Sequence, residues 1–537
     1  MNFFKTLLIA GTALSNVSAY AQDTREEIIV VTASGIEQPS FETGQAITVV
    51  SRDRIDSLQS INIADVLRTL PSVSVAQKGP VGSQTSVFIR GGNSSQTLVL
   101  IDGARVNDPS SPNGAYDFGA MLTGNIGQVE LLRGPNSVIW GSQAVGGVIS
   151  VTTLKPAEAF AVNANAEYGY ANTFSTNANL SGTRGMFKGS VGGRYFRTDG
   201  ISSLSGGTER DGYKNKATNG RLKINLTEDF SFDLRRYYND GAIEYDSPFG
   251  LGANALPVSR NKQFVGYVGA NLNLLEGLLR NTISYTRSDI KRTGTDPVRF
   301  SFNNFNVSGK VDHFEYHGAF DLVQAASTFV FGVEHERTIT GISFEGAPAT
   351  IANTRVTSRF AQLIFRPVNG LAPTGGVRHD DYNIYGGKTT LGGNIAYTPN
   401  KGRTVFRATY GEGFRAPTLS EGQHPFGNPN LKPETARNFD LGVEHKFQDG
   451  SAQVYATYFN RRGNDLINYS AAFQLENIDR VKTQGLETGI MLRPANAWDI
   501  RLGYSLVNAI NRSATNCCRI RHIWTQRICR YQSTFLI

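Results

Sequence analysis

Phe160-Ala-Val-Asn-Ala-Asn-Ala-Glu-Tyr-Gly-Tyr170 is written with a period of two. Val162, Ala164, Ala166, Tyr168 and Tyr170 fall on one face, and Asn163, Asn165 and Glu167 on the other. Side chains of a strand alternate between its faces, so this stretch predicts a strand with one apolar and one polar side. The scheme returns at Phe406, Ala408 and Tyr410, and at Leu441, Val443 and Phe447. It returns again where Ala452, Val454, Ala456 and Tyr458 alternate with Gln453, Tyr455, Thr457 and Phe459. Segments of about ten residues with this alternation, and aromatics near their ends, suit tilted strands crossing a bilayer with the apolar side outward. A soluble sandwich alternates as well, but does not usually carry the pattern as far as from Ala157 to Asn516. The expected fold is therefore a transmembrane antiparallel β-barrel.

Composition alone does not separate those two folds. Glycine is 57 of 537 residues, aromatics are 10%, and mean hydropathy is −0.26. Barrel strands alternate and so never look hydrophobic on average. The start of the chain fixes the compartment. Met1 to Lys5 is short and basic, Leu7 to Leu14 apolar, and Ala19-Tyr20-Ala21 is a small-residue cleavage site before Gln22. Residues 1–21 read as a secretory signal peptide. The remainder holds no apolar run of about 18 residues, the length a membrane-spanning helix needs.

The three cysteines, Cys517, Cys518 and Cys529, all lie near the C-terminus. The same stretch carries Arg519, Arg521, Arg527 and Arg530, which supply four of the formal +8, so the basic balance says little about nucleic acid. Residues 517–537 are expected not to continue the strand pattern, as after a shifted frame or truncation; a small disulfide-closed element is the other reading. Room for roughly 17 strands remains between Ala157 and Asn516. An unclosed barrel of that size would leave about ten unpaired backbone groups in lipid, each costing several kcal/mol. That sum exceeds the roughly 5–15 kcal/mol stability of a domain. The chain as written is thus expected not to close a working pore.

Residues 41–153 differ in period from the alternating stretch that begins near Ala157, and predict a separate mixed α/β domain large enough to bury its own core. Ile47–Val50 reads as a strand. Ser60–Leu70 reads as a helix with Ile63, Val66, Leu67 and Leu70 on one face and Pro71 ending it. Val87–Gly91, Thr97–Gly103 and Val148–Thr152 read as short glycine-punctuated strands. Ahead of this domain, Glu26-Glu-Ile-Ile-Val-Val-Thr-Ala33 is an exposed strand-former, normally an aggregation hazard, which makes sense if a partner pairs with it by strand addition.

Asn62-Ile-Ala-Asp-Val-Leu-Arg-Thr-Leu-Pro71, Phe88-Ile-Arg-Gly91, Leu100-Ile-Asp-Gly103 and Val129-Glu-Leu-Leu-Arg-Gly-Pro135 occur in that order. Trp140-Gly-Ser-Gln-Ala-Val-Gly-Gly147 and Gly427-Asn-Pro-Asn-Leu-Lys-Pro-Glu434 come after them. Together they resemble the TonB-dependent outer-membrane receptors over nearly the whole chain to Asn516. The resemblance implies a plug domain inside a barrel of about 22 strands, with transport driven by the inner-membrane TonB complex of a Gram-negative bacterium. It marks Ile28, Ile29, Val30, Val31, Thr32 and Ala33 as the TonB box, within a leader at 22–40 made flexible by Gly35 and Pro39. A short strand packed on the plug is the equal alternative. It also marks Arg90 and Arg133 of the plug, with Glu434 and Glu487 of the barrel, as a plug-to-wall charge cluster, the bland alternative being four solvated charges. Buried guanidinium groups need such carboxylates.

Asp199, Glu209, Asp211, Tyr245 and Asp246 lie in what should be adjacent outer loops. An all-oxygen set without nearby His or Cys suits Ca²⁺ rather than zinc or copper. Their spacing resembles the calcium loops of the cobalamin receptor branch, with Glu209 where Asp is more usual; an acidic solvated loop is the alternative. Ile29-Val-Val-Thr-Ala33 also resembles that branch, so cobalamin leads as cargo, with a ferric siderophore or haem behind it. From another class, a passive porin needs no folded domain ahead of its barrel, and an adhesin would carry a passenger. No nucleophile–base pair or paired-carboxylate constellation points to an enzyme.

Overall fold

The computed structural model describes residues 29–30, 33–203, 209–246, 257–296, 304–345, 347–423, 427–447, 450–470, 472–494, 498–512 and 532–536. The alternating region forms one 18-stranded antiparallel sheet in which neighbours in sequence are neighbours in space, from Ala161–Gly169 to Gln532–Leu536. The links alternate in length. Short ones at 185–186, 226–229, 275–278 and 323–326 lie at one end; longer ones at 202–210, 245–257, 296–303 and 416–433 lie at the other. The first hairpin of the short end closes through Gly185 at φ +56°, a conformation that suits its right-handed strand twist. In outer-membrane barrels the short turns face the periplasm and the long loops the exterior.

One expectation fails here. Gln532–Leu536 continues the sheet, pairing antiparallel with Ile500–Asn511 from Gly503↔Leu536 to Val507↔Gln532. An edge strand presents unpaired N–H and C=O groups to any extended neighbour, and this segment takes them. The cysteines of the same stretch lie outside the described residues, as does the signal peptide. Among the described residues, Ala161–Gly169 pairs only with Thr173–Arg184.

The plug core is a five-stranded sheet in the order Ile47–Ser51, Ile126–Arg133, Gly147–Thr153, Thr97–Ile101, Ala104–Arg105. The helix expected over Ser60–Leu70 is present as Ile63–Arg68, and a further helix, Arg52–Leu58, precedes it. Arg52–Leu58 ends where Gln59 turns left-handed at φ 49°, and Ile63–Arg68 starts afresh because the Asn62 side chain caps Ala64 N. Ile63, Val66 and Leu67 pack with Val129, Leu131, Ile149 and Val151 in one buried cluster.

The plug lies in the barrel lumen and touches its wall all round. Arg194 donates to Leu122 O at 2.7 Å and Tyr116 to Gln263 at 3.1 Å. Val138 and Ile139 bury against Val330, Phe360 and Ile364 of the opposite wall. No helix among the described residues is long and apolar enough to cross a membrane.

Candidate functional site

Arg90 leaves the end of the strand Thr85–Ile89 in a left-handed conformation, φ 51°, which aims its side chain at the wall. There it makes a bidentate pair with Glu487, Nε to Oε1 at 2.8 Å and Nη2 to Oε2 at 2.9 Å, and donates through Nη1 to Asp440 Oδ2 at 2.8 Å. The guanidinium stacks over Phe459 at 4.5 Å. Burial would lower its pKa, but Asp440 and Glu487 together hold it above the ordinary value. Arg133 Nε stands 3.8 Å from Glu487 and donates to Pro71 O at 3.3 Å, while its Nη2 donates to Thr48 Oγ1 at 3.0 Å. Three of the four expected residues thus meet.

Glu434 does not join them. It shares the inward face with Asp440 but sits six positions away on the strand Glu434–Lys446, about 20 Å at strand rise. There it accepts from Arg415 and Gln96, both at 2.8 Å, and from Ile467 N at 2.9 Å. Gln96 also accepts from Arg461, so one plug amide joins two charged wall groups. Arg415 is further gripped by Glu421, at 2.8 and 3.0 Å, and Glu421 closes a capping box, its N–H donating to Thr418 Oγ1 and its carboxylate accepting from Thr418 N. This outer loop closes on the plug apex, Thr418 Oγ1 donating to Pro112 O at 3.1 Å.

A second anchor lies on the facing wall. Plug Arg105 reaches Glu334 at 3.0 Å and Glu336 at 3.5 Å, while wall Arg378 pairs with Glu334 and Asp380 and donates to Ile139 O. Asp440, Gln96, Arg415, Arg461, Arg105, Glu334 and Arg378 escaped the sequence reading. The available signal was charge on the inward phase of a strand, where lipid is not the neighbour. Because Glu334 keeps Arg378 when Arg105 is removed, Arg105→Ala should destabilise plug seating by only about 1.5–3 kcal/mol, the range of a charged hydrogen bond. Calorimetry of the purified protein measures it.

The leader is also fastened. Gly44 N donates to Asn394 Oδ1 at 2.9 Å, Gly44 O accepts from Thr409 at 2.6 Å, Arg407 donates to Ser40 O and Thr43 O, and Arg366 pairs with Glu42 at 2.9 Å. Of the expected box, Ile28, Val31 and Thr32 lie outside the described residues. Ile29–Val30 pairs with Gln38–Pro39, with Val30 buried, and Ala33 enters a cluster with Leu98, Leu132 and Val148. An exposed strand was expected; here its described part folds back on the leader, burying apolar surface that would otherwise face water.

At the outer end, Asp199 departs from the expected metal set. Counted from inward Arg194 on the same strand, Asp199 falls on the opposite phase and is exposed, where it accepts from Asn172 at 2.6 Å and faces Arg210 at 3.9 Å. Tyr245 is held through its backbone N by Pro257 O at 3.0 Å. Glu209 lies against Asp246, which raises its pKa above the ordinary carboxyl value. Both Glu209 oxygens and Asp211 Oδ1 are shielded from solvent with no hydrogen-bond donor. Among the described residues no three His, Cys, Asp or Glu side chains form a preset metal cage.

Residues 153–517 match the family model described as TonB dependent receptor-like, beta-barrel, and residues 39–148 match the TonB-dependent Receptor Plug Domain. Among solved structures, the fold is similar to the ferripyoverdine receptor of Pseudomonas aeruginosa, at 16% identity and TM-score 0.75 over 90% of this chain and 73% of that one. It is similar to the ferric enterobactin receptor of the same organism, at 17%, 0.71, 87% and 81%. The alcaligin outer-membrane receptor of Bordetella pertussis gives 17%, 0.71, 90% and 84%.

Proposed function

This chain belongs to the TonB-dependent receptor family, and from that premise we propose that it imports a ferric siderophore across the outer membrane. The coarser parts follow from the family: the protein resides in the outer membrane of a Gram-negative bacterium, acts with TonB, and is a transporter rather than an enzyme. One observation carries the transport reading. A folded domain fills the lumen and is tied to the wall by the buried Arg90–Glu487–Asp440 network, so a large solute passes only when that domain moves. We assign the Arg90 network the role of lock, and Ile28–Ala33 that of the segment through which TonB pulls.

The siderophore class is supported by the structurally similar receptors, whose ligands are ferripyoverdine and ferric enterobactin. Cobalamin stays as the second reading because of Ile29–Ala33 and the acidic outer corner. Equilibrium binding to the protein in detergent separates the two. Ferric catecholate and hydroxamate chelates should bind, and cyanocobalamin should not. Cyanocobalamin binding without any ferric chelate would reverse the assignment.

Calcium is a further proposal. Glu209, Asp211 and Asp246 would hold it, and its charge would neutralise carboxylate oxygens that have no donor. Added Ca²⁺ should then slow proteolysis of the link at 202–210, and Glu209→Gln should remove that protection. Equal cleavage with Ca²⁺ and with a chelator would show that no cation binds there.

A further inference from the structure

The plug meets the wall in three chemically different ways. Arg90 ties it by buried charge to Asp440 and Glu487, on the strands Glu434–Lys446 and Leu475–Leu492. The short helix Ser137–Trp140 is instead lodged in apolar surface, where Val138 and Ile139 pack with Ala319, Val330, Phe360 and Ile364. The wall admits this helix because two of its residues carry no side chain. A Cβ at Gly376 would stand 2.8 Å from Val138 Cγ1, and one at Gly392 3.1 Å from Val138 Cγ2. Arg378 adds a hydrogen bond to Ile139 O at 3.2 Å. Close-packed apolar contact of this kind gains nothing from water.

The third contact, with the strands from Thr173–Arg184 to Val258–Leu274, is rich in neutral amides. Asn179, Asn219, Asn239 and Gln263 on the wall and Asn125 on the plug are all at least nine-tenths buried. Each still keeps one amide atom without a hydrogen-bond partner: Oδ1 of Asn125, Nδ2 of Asn179, Asn219 and Asn239, and Nε2 of Gln263. Arg194 among them donates to Leu122 O and Asn215 Oδ1 but leaves its Nε unpaired. Enclosed polar atoms without partners cost free energy, and water entering this gap would satisfy them. Tyr237 and Val265 add apolar contact, one inward row from the Asn239–Gln263 pair. The ion pairs of this side are single and partly exposed, Arg221–Asp102 at 3.5 Å and Arg292–Asp108, at its edge, at 3.1 Å. The apolar side also has unpaired atoms, at Gln362, Asp380 and Thr390, but there Val138, Ile139 and Arg378 hold the plug.

We propose that, once the Arg90 network yields, the plug pivots on the Ser137–Trp140 contact and parts from the amide-lined wall, and that the solute passes there. The route rests on the transport reading and adds to it the side on which the lumen opens. A pivot keeps the apolar contact buried, while the opposite wall, which the plug leaves furthest, exchanges orphaned amides for hydrated ones. The passage so opened presents neutral amides, the phenols of Tyr116, Tyr213 and Tyr237, and the Arg194 cation. Those donors suit the oxygen-rich, negatively charged surface of a ferric catecholate.

Two engineered disulfides test the route, in a chain whose Cys517, Cys518 and Cys529 are replaced by serine. A Cβ at Gly124 would stand 3.3 Å from Asn177 Cβ, and one at Gly392 4.0 Å from Val138 Cβ, both near the separation a disulfide spans. Gly124→Cys with Asn177→Cys therefore bolts the amide side, and Gly392→Cys with Val138→Cys the apolar side. Whole cells are given a radiolabelled ferric catecholate, with cyanocobalamin run in parallel. The oxidised amide-side bolt should reduce uptake to that of cells lacking TonB, and a phosphine reductant should restore it. The oxidised apolar-side bolt should leave uptake as in its reduced form. Uptake through the oxidised amide-side bolt, or equal loss with either bolt, would overturn the proposal. If the chain without bolts imports neither solute, the transport reading itself fails and the route falls with it. Should the first pair not insert, or stay inactive when reduced, Gly192→Cys with Asn125→Cys bridges the same contact, since a Cβ at Gly192 would stand 3.0 Å from Asn125 Cγ.

Discussion

Glu487→Ala is expected to lower the stability of the seated plug by about 3–5 kcal/mol, the cost of leaving a buried charge without its partner. Two guanidinium groups depend on this one carboxylate. Arg90 would lose its bidentate contact and keep only Asp440. Arg133 would lose the one carboxylate within 4.0 Å of it among the described residues, while burial already holds its pKa below the ordinary value. Both side chains are nearly inaccessible to water, so solvent offers little replacement. Glu434→Ala is the informative contrast. Arg415 would retain Glu421 through two hydrogen bonds, and Arg90 would not be disturbed, so the loss should be clearly smaller. Calorimetry, proteolysis of the plug and entry of a large antibiotic into whole cells read the same effect three ways. If Glu487→Ala stayed within about 0.5 kcal/mol of the unaltered protein, as an ordinary surface substitution does, the lock would not exist. If Glu434→Ala matched it, the two clusters would act as one.

The contrast between these two glutamates also marks how far the sequence could be read. Period-two alternation at Phe160–Tyr170 and Ala452–Phe459 was enough for a barrel, because each strand declares its own faces. The mixed period of residues 41–153 was enough for a separate plug. Height within the lumen is different. Glu434 and Asp440 share strand and phase, and which of them reaches Arg90 depends on the stagger of neighbouring strands, a property of the whole sheet. Asp199 failed for a related reason: it lies on the opposite phase of its strand from inward Arg194, exposed while Asp211 is buried, and the phase of a strand is set by what the sheet encloses. The fold-back of Ile29–Val30 needed a partner, Gln38–Pro39, which carries no strand pattern of its own.

Val31→Pro is expected to reduce uptake to the level of cells lacking TonB while leaving ligand binding at the cell surface unchanged. Proline removes one backbone N–H and its ring clashes with an adjoining strand, so it cannot serve inside a ladder. Val31→Ala keeps that donor and should transport. The leader makes the effect close to complete rather than partial. Force entering at the box travels through residues 40–45, which Arg407, Thr409, Asn394 and Arg366 fasten to the wall, before it reaches the plug sheet at Ile47–Ser51. A grip weakened at its first strand cannot load that series of contacts, each of which must yield before Arg90 is drawn from Glu487. The partner must also displace the short pairing between Ile29–Val30 and Gln38–Pro39, a small barrier because only two residues pair on each side. In the proposed import the ligand arrives at the outer loops and plug apex, at the other end of the lumen, so surface binding should not change. Uptake of a radiolabelled chelate by whole cells, with surface binding measured in the cold, separates the two. Transport that persists in the proline variant would mean that energy reaches the plug by some route other than backbone pairing at this segment.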